Sequence, residues 1–464
     1  MTSASEKDHL PEFIDKMGKA GVPSVAINSF SYYYQQILSG DKGLLPEKEI
    51  LPVDPSTVKK FDQLTDYRSS GQKSISKAVK IILNGGLGTS MGLMGPKSLL
   101  RVKNNYSFLD ILLLQAEVAN VKLVIMNSFT THDTTQNVLK DLNLADLPLL
   151  FCQHMFPKVL RKNLAPAVCP ENPDLEWNPP GHGDIFIAMN TSGILNQLLS
   201  NGFRYALITN VDNLGATLDE SLLGLFADQN FPFMMEVAVR TPEDRKGGHL
   251  AYSKAGHFLL REIAQCPEKE LPKFQDIQLH RFFNTNNIWI NLEVLHKKIQ
   301  DQGFLPLPLL LNPKTLDPRD KNSPPVFQIE TAMGAAISMF PEAIPINVPA
   351  ERFHPVKKCD DLLAIRSDCY YLDNEYRLKM NPKRGYGRIK IDLDPAYYTK
   401  IDQLDRRFPF GAPSLVNCRS LCVKGDVCFE EDVVIKGDAT IENRGFYQAV
   451  VKQGSVIEGN LIFK

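Results

Sequence analysis

The chain lacks any cysteine pairing pattern. Its eight cysteines include no C-x-x-C pair, and Cys and His never fall at zinc-finger spacing. A zinc module or disulfide framework is therefore not expected, and the reading is a reduced, cytoplasmic protein. The chain also lacks an excess of charge of either sign. Its formal net charge is -1, which argues against a nucleic-acid binder, because these carry a clear basic surplus. Any anionic ligand must be met by a few local cations. No apolar run approaches the ~20 residues that span a bilayer. The opening residues, Met1-Thr2-Ser3-Ala4-Ser5-Glu6-Lys7-Asp8, are polar and carry no signal-peptide core. No membrane partner is expected.

What is present suits a large globular protein. At 464 residues the length suggests about three domains. The 43% apolar fraction is enough for sizeable cores, and 23% charged residues is ordinary. Residues up to about 75 read as mostly helical: Phe13, Ile14 and Met17 share one helical face, and Phe30, Tyr33 and Tyr34 another. Prolines at 52 and 55 separate these helices from the next unit. From about 78 strands alternate with helices. Strands are expected at 79–83, 121–126, 149–152 and 205–209, with helices at 107–119 (Ser107 as N-cap) and 131–142. That alternation argues for an α/β fold with a mostly parallel sheet covered on both faces. In such sheets ligands sit beyond the carboxyl ends of the strands.

The chemistry concentrates in Leu83-Asn84-Gly85-Gly86-Leu87-Gly88-Thr89-Ser90-Met91-Gly92, followed by Gly95-Pro96-Lys97-Ser98. Glycines leave backbone N–H groups uncovered, so a phosphate or base can approach closely. A Rossmann loop would need an acid at the end of the next strand, which instead ends Met126-Asn127-Ser128. A Walker A loop is broken by Pro96 between Gly95 and Lys97. A nucleotidyltransferase loop remains, with the lysine holding phosphates. A plain turn is the alternative, but five glycines in eleven residues are costly in chain entropy.

Other segments are individually ambiguous. Asn210-Val211-Asp212-Asn213 follows a buried strand; its Asp suits either Mg²⁺ or an Asx turn. Pro179-Pro180-Gly181-His182-Gly183-Asp184 is a stiff second loop. The amides of Phe283-Asn284-Thr285-Asn286-Asn287-Ile288-Trp289 suit sugar hydroxyls or an ordinary turn. Arg352-Phe353-His354-Pro355-Val356-Lys357-Lys358 is a basic cluster that a solvated face also explains. After about 410, Val423, Phe429, Ile435 and Ile441 recur every six positions. This favours a hexapeptide parallel β-helix of one or two coils over two hairpins.

Together the stretches LNGGLGTSMG with GPKSLL, MNSF, PPGHGD, NVDNLGATLD, KGGHLA, REIAQCP, FFNTNNIWI, QIETAMGAA and RFHPVK, in this order, closely resemble the eukaryotic UTP–glucose-1-phosphate uridylyltransferase (UDP-glucose pyrophosphorylase) family. The resemblance implies a GT-A-like, Rossmann-like α/β nucleotidyltransferase domain with a mixed, mostly parallel sheet, an N-terminal helical part and a C-terminal left-handed β-helix. It divides the chain into a helical region 1–75, a catalytic domain 76–365, a linker region 366–409 and a β-helix domain 410–464. It implies that Leu83, Asn84, Gly85 and Gly86 line the uridine site, that Lys97 meets the phosphates, and that Gln153 reads the uracil edge with Gly181 close to the base. His182, Asn213 and Asn286 would face the sugar or its phosphate. Asn210 and Asp212 would serve the nucleotide and Mg²⁺, with Asp212 as metal ligand, and Lys357 would join Lys97 as a catalytic, nucleotide-binding cation. Relatives acting on N-acetylhexosamines carry arginine and leucine at Ser90 and Met91, so those two residues favour the glucose branch. The implied reaction joins UTP and glucose 1-phosphate into UDP-glucose and pyrophosphate. A broad UDP-sugar pyrophosphorylase, a non-catalytic sugar-nucleotide sensor and a hexapeptide acyltransferase are the alternatives; the repeat is too short for the last. The β-helix edge offers a route to a homo-oligomer.

Overall fold

The computed structural model describes residues 8–464 apart from Asn143 and Ala145; residues 1–7 and the side chain of Ser90 also lie outside the described residues. The central feature is a sheet of eleven strands. Eight form its main path: β1 Lys59–Lys60, β2 Ala78–Asn84, β3 Lys122–Asn127, β4 Leu149–Cys152, β5 Tyr205–Asn210, β6 Phe233–Val239, β7 Phe282–Asn291 and β8 Ile344–Asn347. Their spatial order is β1-β8-β6-β7-β5-β2-β3-β4. All neighbours run parallel except β7, which lies antiparallel to β5 and β6. The expected strands and helices from 78 to 210 are present within a residue or two at each end.

Local chemistry explains the elements that flank the sheet. All seven residues of β2 are buried, as a parallel strand covered on both faces requires. The helix Phe108–Val118 begins at Ser107, whose hydroxyl accepts from the Asp110 N–H while the Ser107 N–H donates back to the Asp110 carboxylate. Alternation along β2 sends Val79, Ile81 and Leu83 into one core and Ile82 into the other. Order along the sheet reverses at β2, which has β3 on one side and β5 on the other. This is the switch point at which open α/β sheets leave a crevice.

The N-terminal helices Leu10–Lys19 and Ser24–Leu38 do not stand apart. Phe13, Phe30 and Tyr34 cluster with Phe156, and Tyr34 donates to the Leu164 carbonyl. Phe13 and Met17 are buried as expected, but Ile14 points outward, because the contact stripe narrows to the i, i+4 pair. Residues 50–60 then enter the main sheet through β1 and through Ile50–Leu51, which pairs with His249–Ser253.

The segment 366–409, expected to link two domains, is itself folded. Cys369, Tyr370, Leu393, Tyr398 and Phe408 belong to the same core as Ile82 and Leu112 on one side and Val423 and Ile441 on the other. Asp368 accepts from the Leu415 and Val416 N–H groups, and buried Arg384 donates to the Leu415 and Cys418 carbonyls. Lys390–Leu393 opens a stack of parallel strands continued by Cys418–Lys424, Val434–Asn443 and Val456–Phe463. A shorter parallel pair, Val427–Phe429 with Ala449–Val451, stacks beside it. The six-residue period is realised: Val423, Phe429, Ile435 and Ile441 are all buried, and Val423 lies in register with Ile441. No helix among the described residues is long and apolar enough to cross a membrane.

Phe429 stacks on Phe408, with ring centroids 4.6 Å apart, so the stack and the segment before it share one packing unit. Phe429→Ala is expected to cost about 3–5 kcal/mol, read as a lower denaturation midpoint. An unchanged midpoint would count against a shared core.

Candidate active site

The crevice lies where the strand order predicts, beyond the ends of β2, β3, β4 and β5. Its volume is about 350 Å³. Leu83 lies at the end of β2 and Met126 at the end of β3, Gln153 follows β4 and Asn210 ends β5. Gly85, Gly86, Lys97, Pro179, Gly181, His182, Val211 and Asp212 complete the lining. Nine of the expected residues therefore meet in one place: Leu83, Gly85, Gly86, Lys97, Gln153, Gly181, His182, Asn210 and Asp212.

The glycine loop folds back on itself. Leu87 bridges Pro96, and the Lys97 N–H donates to the Gly86 carbonyl at 3.2 Å. This return delivers Lys97 to the end of the strand from which the loop departs. Its ammonium reaches the Asp212 carboxylate at 2.5 Å. Gly85 runs against Gln153: a Cβ at Gly85 would lie 2.6 Å from Gln153 Nε2, so any larger residue would displace the amide. The Asn127-Ser128 stretch secures the same strand end, because Ser128 Oγ donates to the Gly85 carbonyl and Thr131 Oγ1 to the Asn84 carbonyl.

A second loop fixes the opposite wall. Gly181 has φ +78° and sits against the Thr331 backbone, which a Cβ would strike at 2.4 Å. His182 Nδ1 accepts the Met333 N–H at 3.0 Å. The neutral ring therefore carries its proton on Nε2, leaving a donor. Desolvation by the surrounding protein lowers the His182 pKa from 6.5 to about 4, so the ring is neutral under physiological conditions. Asp184 holds the Gln153-His154 turn through the His154 N–H at 2.6 Å and His154 Nδ1 at 2.9 Å. Asp184 belongs to the PPGHGD stretch, yet nothing in that stretch signals its hold on the Gln153 turn.

Asn84, Asn213, Asn286 and Lys357 do not line this crevice. Asn84 is fully buried and donates to Asn127 Oδ1 and Thr135 Oγ1. Asn213 is buried too; it donates to Asn287 Oδ1 and the Arg352 carbonyl and accepts from the His354 N–H. Both amides hold backbone and neighbours in place. Asn286 sits at a bulge in β7, where the pairing register shifts opposite Glu236 and Val237. Its φ of +59° is one that asparagine tolerates, and Asn284 Nδ2 donates to its side-chain oxygen.

Lys357 arrives by a longer route. Arg352 is buried and forms a two-point pair with Glu236, both contacts at 2.7 Å. Glu236 also accepts from Asn287 Nδ2 and Trp289 Nε1. From this anchor Asn213 bridges Pro355 and the Val356 N–H donates to the Asp212 carbonyl at 3.3 Å. The next residue is Lys357, exposed and without an ion-pair partner among the described residues. Glu262 lies nearby. Burial pushes its carboxyl up to about 7, and the Lys357 ammonium acts the other way. The Gly248 backbone packs on that carboxylate, which a Cβ would meet at 2.5 Å. Gly248 and Glu262 come from the KGGHLA and REIAQCP stretches, to which the sequence by itself attaches no role.

This arrangement has counterparts in known proteins. The family model described as UTP–glucose-1-phosphate uridylyltransferase matches residues 27–436. A UTP–glucose-1-phosphate uridylyltransferase from Hordeum vulgare is 36% identical, covering 98% of this chain and 96% of its own length. A UDP-glucose phosphorylase from Trypanosoma brucei superposes with a TM-score of 0.89 at 41% identity, covering 98% of this chain and 100% of its own. A mutant UDP-glucose pyrophosphorylase from Leishmania major, solved in complex with UDP-glucose, superposes with a TM-score of 0.89 at 39% identity, covering 98% and 99%.

The histidine geometry has a consequence for pH. Because the folded pKa of His182 lies below its ordinary value, the unfolded chain binds more protons between about 6.5 and 4. Its contribution to stability is complete above 6.5 and is lost as pH falls through 4. His182→Gln is expected to flatten this part of a melting-temperature profile; an unchanged slope would refute the assignment.

Proposed function

The chain belongs to the UTP–glucose-1-phosphate uridylyltransferase family, and we infer that it catalyses transfer of the uridylyl group from UTP to glucose 1-phosphate, forming UDP-glucose and pyrophosphate. The observation that carries the reading is the pairing of Lys97 with Asp212 in a crevice walled by Gly85, Gly86 and Gln153, with Val356, the neighbour of Lys357, donating to the Asp212 carbonyl. The sugar-phosphate oxygen attacks the α-phosphorus of UTP; the bond from that phosphorus to the oxygen bridging to the β-phosphate breaks, and pyrophosphate leaves. Both reactants are anions, so the protein must offset their repulsion and hold them in line. In-line positioning is worth about 7–11 kcal/mol in intramolecular comparisons.

Each residue then has a task. Gly85 and Gly86 let the base and α-phosphate approach backbone. Gln153 offers both an amide donor and an acceptor to the uracil edge, which cytosine would mispair. Gly181 keeps space beside the base, and Leu83 and Asn84 support it. Asn210 meets the nucleotide. Lys97 exchanges its contact with Asp212 for phosphate oxygens, and Lys357 stabilises charge as it develops. The neutral His182 donates from Nε2 to a sugar hydroxyl or phosphate oxygen, with Asn286 facing the sugar and Asn213 fixing its wall. A Mg²⁺ fits here: Asp212 is the carboxylate lining the crevice, and this ion commonly takes one or two protein carboxylates beside substrate phosphates. When bound, the ion neutralises phosphate charge.

The central unit is read as GT-A-like and the C-terminal parallel stack as a left-handed β-helix, whose outermost strand Val456–Phe463 exposes Val456 and Ile462. That edge supports self-association, which light scattering showing only monomer would exclude. Eight free cysteines support a cytoplasmic setting.

Pyrophosphate release is expected with UTP, Mg²⁺ and glucose 1-phosphate. Equal turnover of galactose 1-phosphate would favour the broad-specificity reading, and binding of UDP-glucose without turnover the sensor reading. In the same assay Lys357→Ala is expected to lower kcat by roughly 10²–10³, and activity within a few-fold of the parent would remove Lys357 from the chemistry. Gln153→Ala is expected to impair UTP use while preserving the order of sugar preference; unchanged UTP kinetics would contradict the base-reading role.

A further inference from the structure

A larger cleft, of about 690 Å³, shares no lining residue with the crevice. Its volume falls within the range of small-molecule sites, about 300–1,000 Å³. Its distinctive feature is Lys80, the third residue of β2. Strand alternation turns this lysine to the face opposite Val79 and Ile81, where it lines the cleft while remaining only 3% exposed.

The other charges around the cleft have partners. Arg68 pairs with Glu220 at 2.8 Å, and Arg377 with Asp373 and Glu375 at 2.9 and 3.0 Å. Asp219 caps the helix Glu220–Asp228 through the Ser221 and Leu222 N–H groups. Lys80 has one long hydrogen bond, 3.4 Å to Gln115 Oε1, and no carboxylate within ion-pair reach among the described residues. Buried charges are ordinarily paired, so Lys80 lacks the carboxylate partner that Arg68 and Arg377 have. Burial, helped by the positive Arg352 and opposed by Glu236, lowers the Lys80 pKa to about 7. An arriving anion would supply the missing counter-charge.

We propose that this cleft is a second ligand site, in which the Lys80 ammonium receives the carboxylate or phosphate oxyanion of a small molecule. The site is independent of the uridylyl-transfer chemistry. It has a structural path to that chemistry, however: the Thr217 carbonyl in its wall accepts from Arg352 at 2.9 Å, and Arg352 anchors the segment that carries Lys357.

Calorimetric titration of the full chain tests this, with inorganic phosphate and malonate as separate probes. At least one is expected to bind the parent with the crevice first saturated by UDP-glucose, and at least about tenfold more weakly to Lys80→Met under the same condition. The anion that binds identifies the class, phosphate or carboxylate. Binding of neither anion under that condition, or equal binding to parent and Lys80→Met, overturns the proposal. Crystals of the parent chain soaked in the binding anion give a check that does not depend on how the variant folds. Density within hydrogen-bond reach of Lys80 Nζ is expected, and density only elsewhere refutes the site.

Discussion

The buried pair between Glu236 and Arg352 is the constraint on which the assembled site depends. Removing two ions from water costs several kcal/mol each, and their attraction offsets this only when the remaining hydrogen bonds are also made. Here both carboxylate oxygens are used twice: Oε1 accepts from Arg352 and Trp289, and Oε2 from Arg352 and Asn287. The pair is better understood as a positioning device than as a net source of stability. It joins β6, β7 and the segment after β8 at one point. Only with that point fixed can the chain carry Pro355 to Asn213 and Val356 to Asp212, one residue before Lys357.

The parts of the site legible in the sequence are those made by local chain. Apolar runs followed by glycines or Asn-Val-Asp mark β2, β5 and the crevice between them, because strand period and turn chemistry act over a few residues. The six-residue recurrence marks the C-terminal stack for the same reason. Long-range contacts are not legible. The RFHPVK segment looks like a solvated basic cluster from its composition, yet Arg352 is buried by a partner 116 positions away, and no motif marks Glu236. Family resemblance turns Asn84 and Asn213 toward ligands; an amide suits an inward hydrogen-bond network equally well, and that is where both lie. The segment 366–409 reads as a linker because its short elements lack a sustained period, while the residues that fill its core come from both neighbours.

Electrostatics unite these features. A chain of almost zero net charge meets a highly charged substrate with few cations. In the free protein each is held differently. Lys97 is paired with Asp212, so its charge is compensated within the crevice. Lys357 stands exposed at the end of an anchored segment. The His182 ring is kept neutral by burial, adding a donor without adding charge. A site built this way avoids collecting like charges in a low-dielectric crevice, where unpaired ions are costly.

The two halves of the site follow different folding logic. The half at the strand ends draws on 83–86, 127–128 and 153, from adjacent parallel strands whose spacing is set by the sheet ladder. The half toward Lys357 draws on 213, 236, 287 and 352–356, brought together by side-chain contacts across long sequence separations. Asp212 belongs to both: its carboxylate meets Lys97 of the first half and its carbonyl accepts from Val356 of the second. Contacts of long sequence separation carry the larger loop-closure entropy. The first half therefore keeps its geometry through small changes elsewhere, while the second is where displacement of one buried group shifts the segment that carries Lys357. The half that carries Lys357 is accordingly the part of the site most exposed to mutation at a distance.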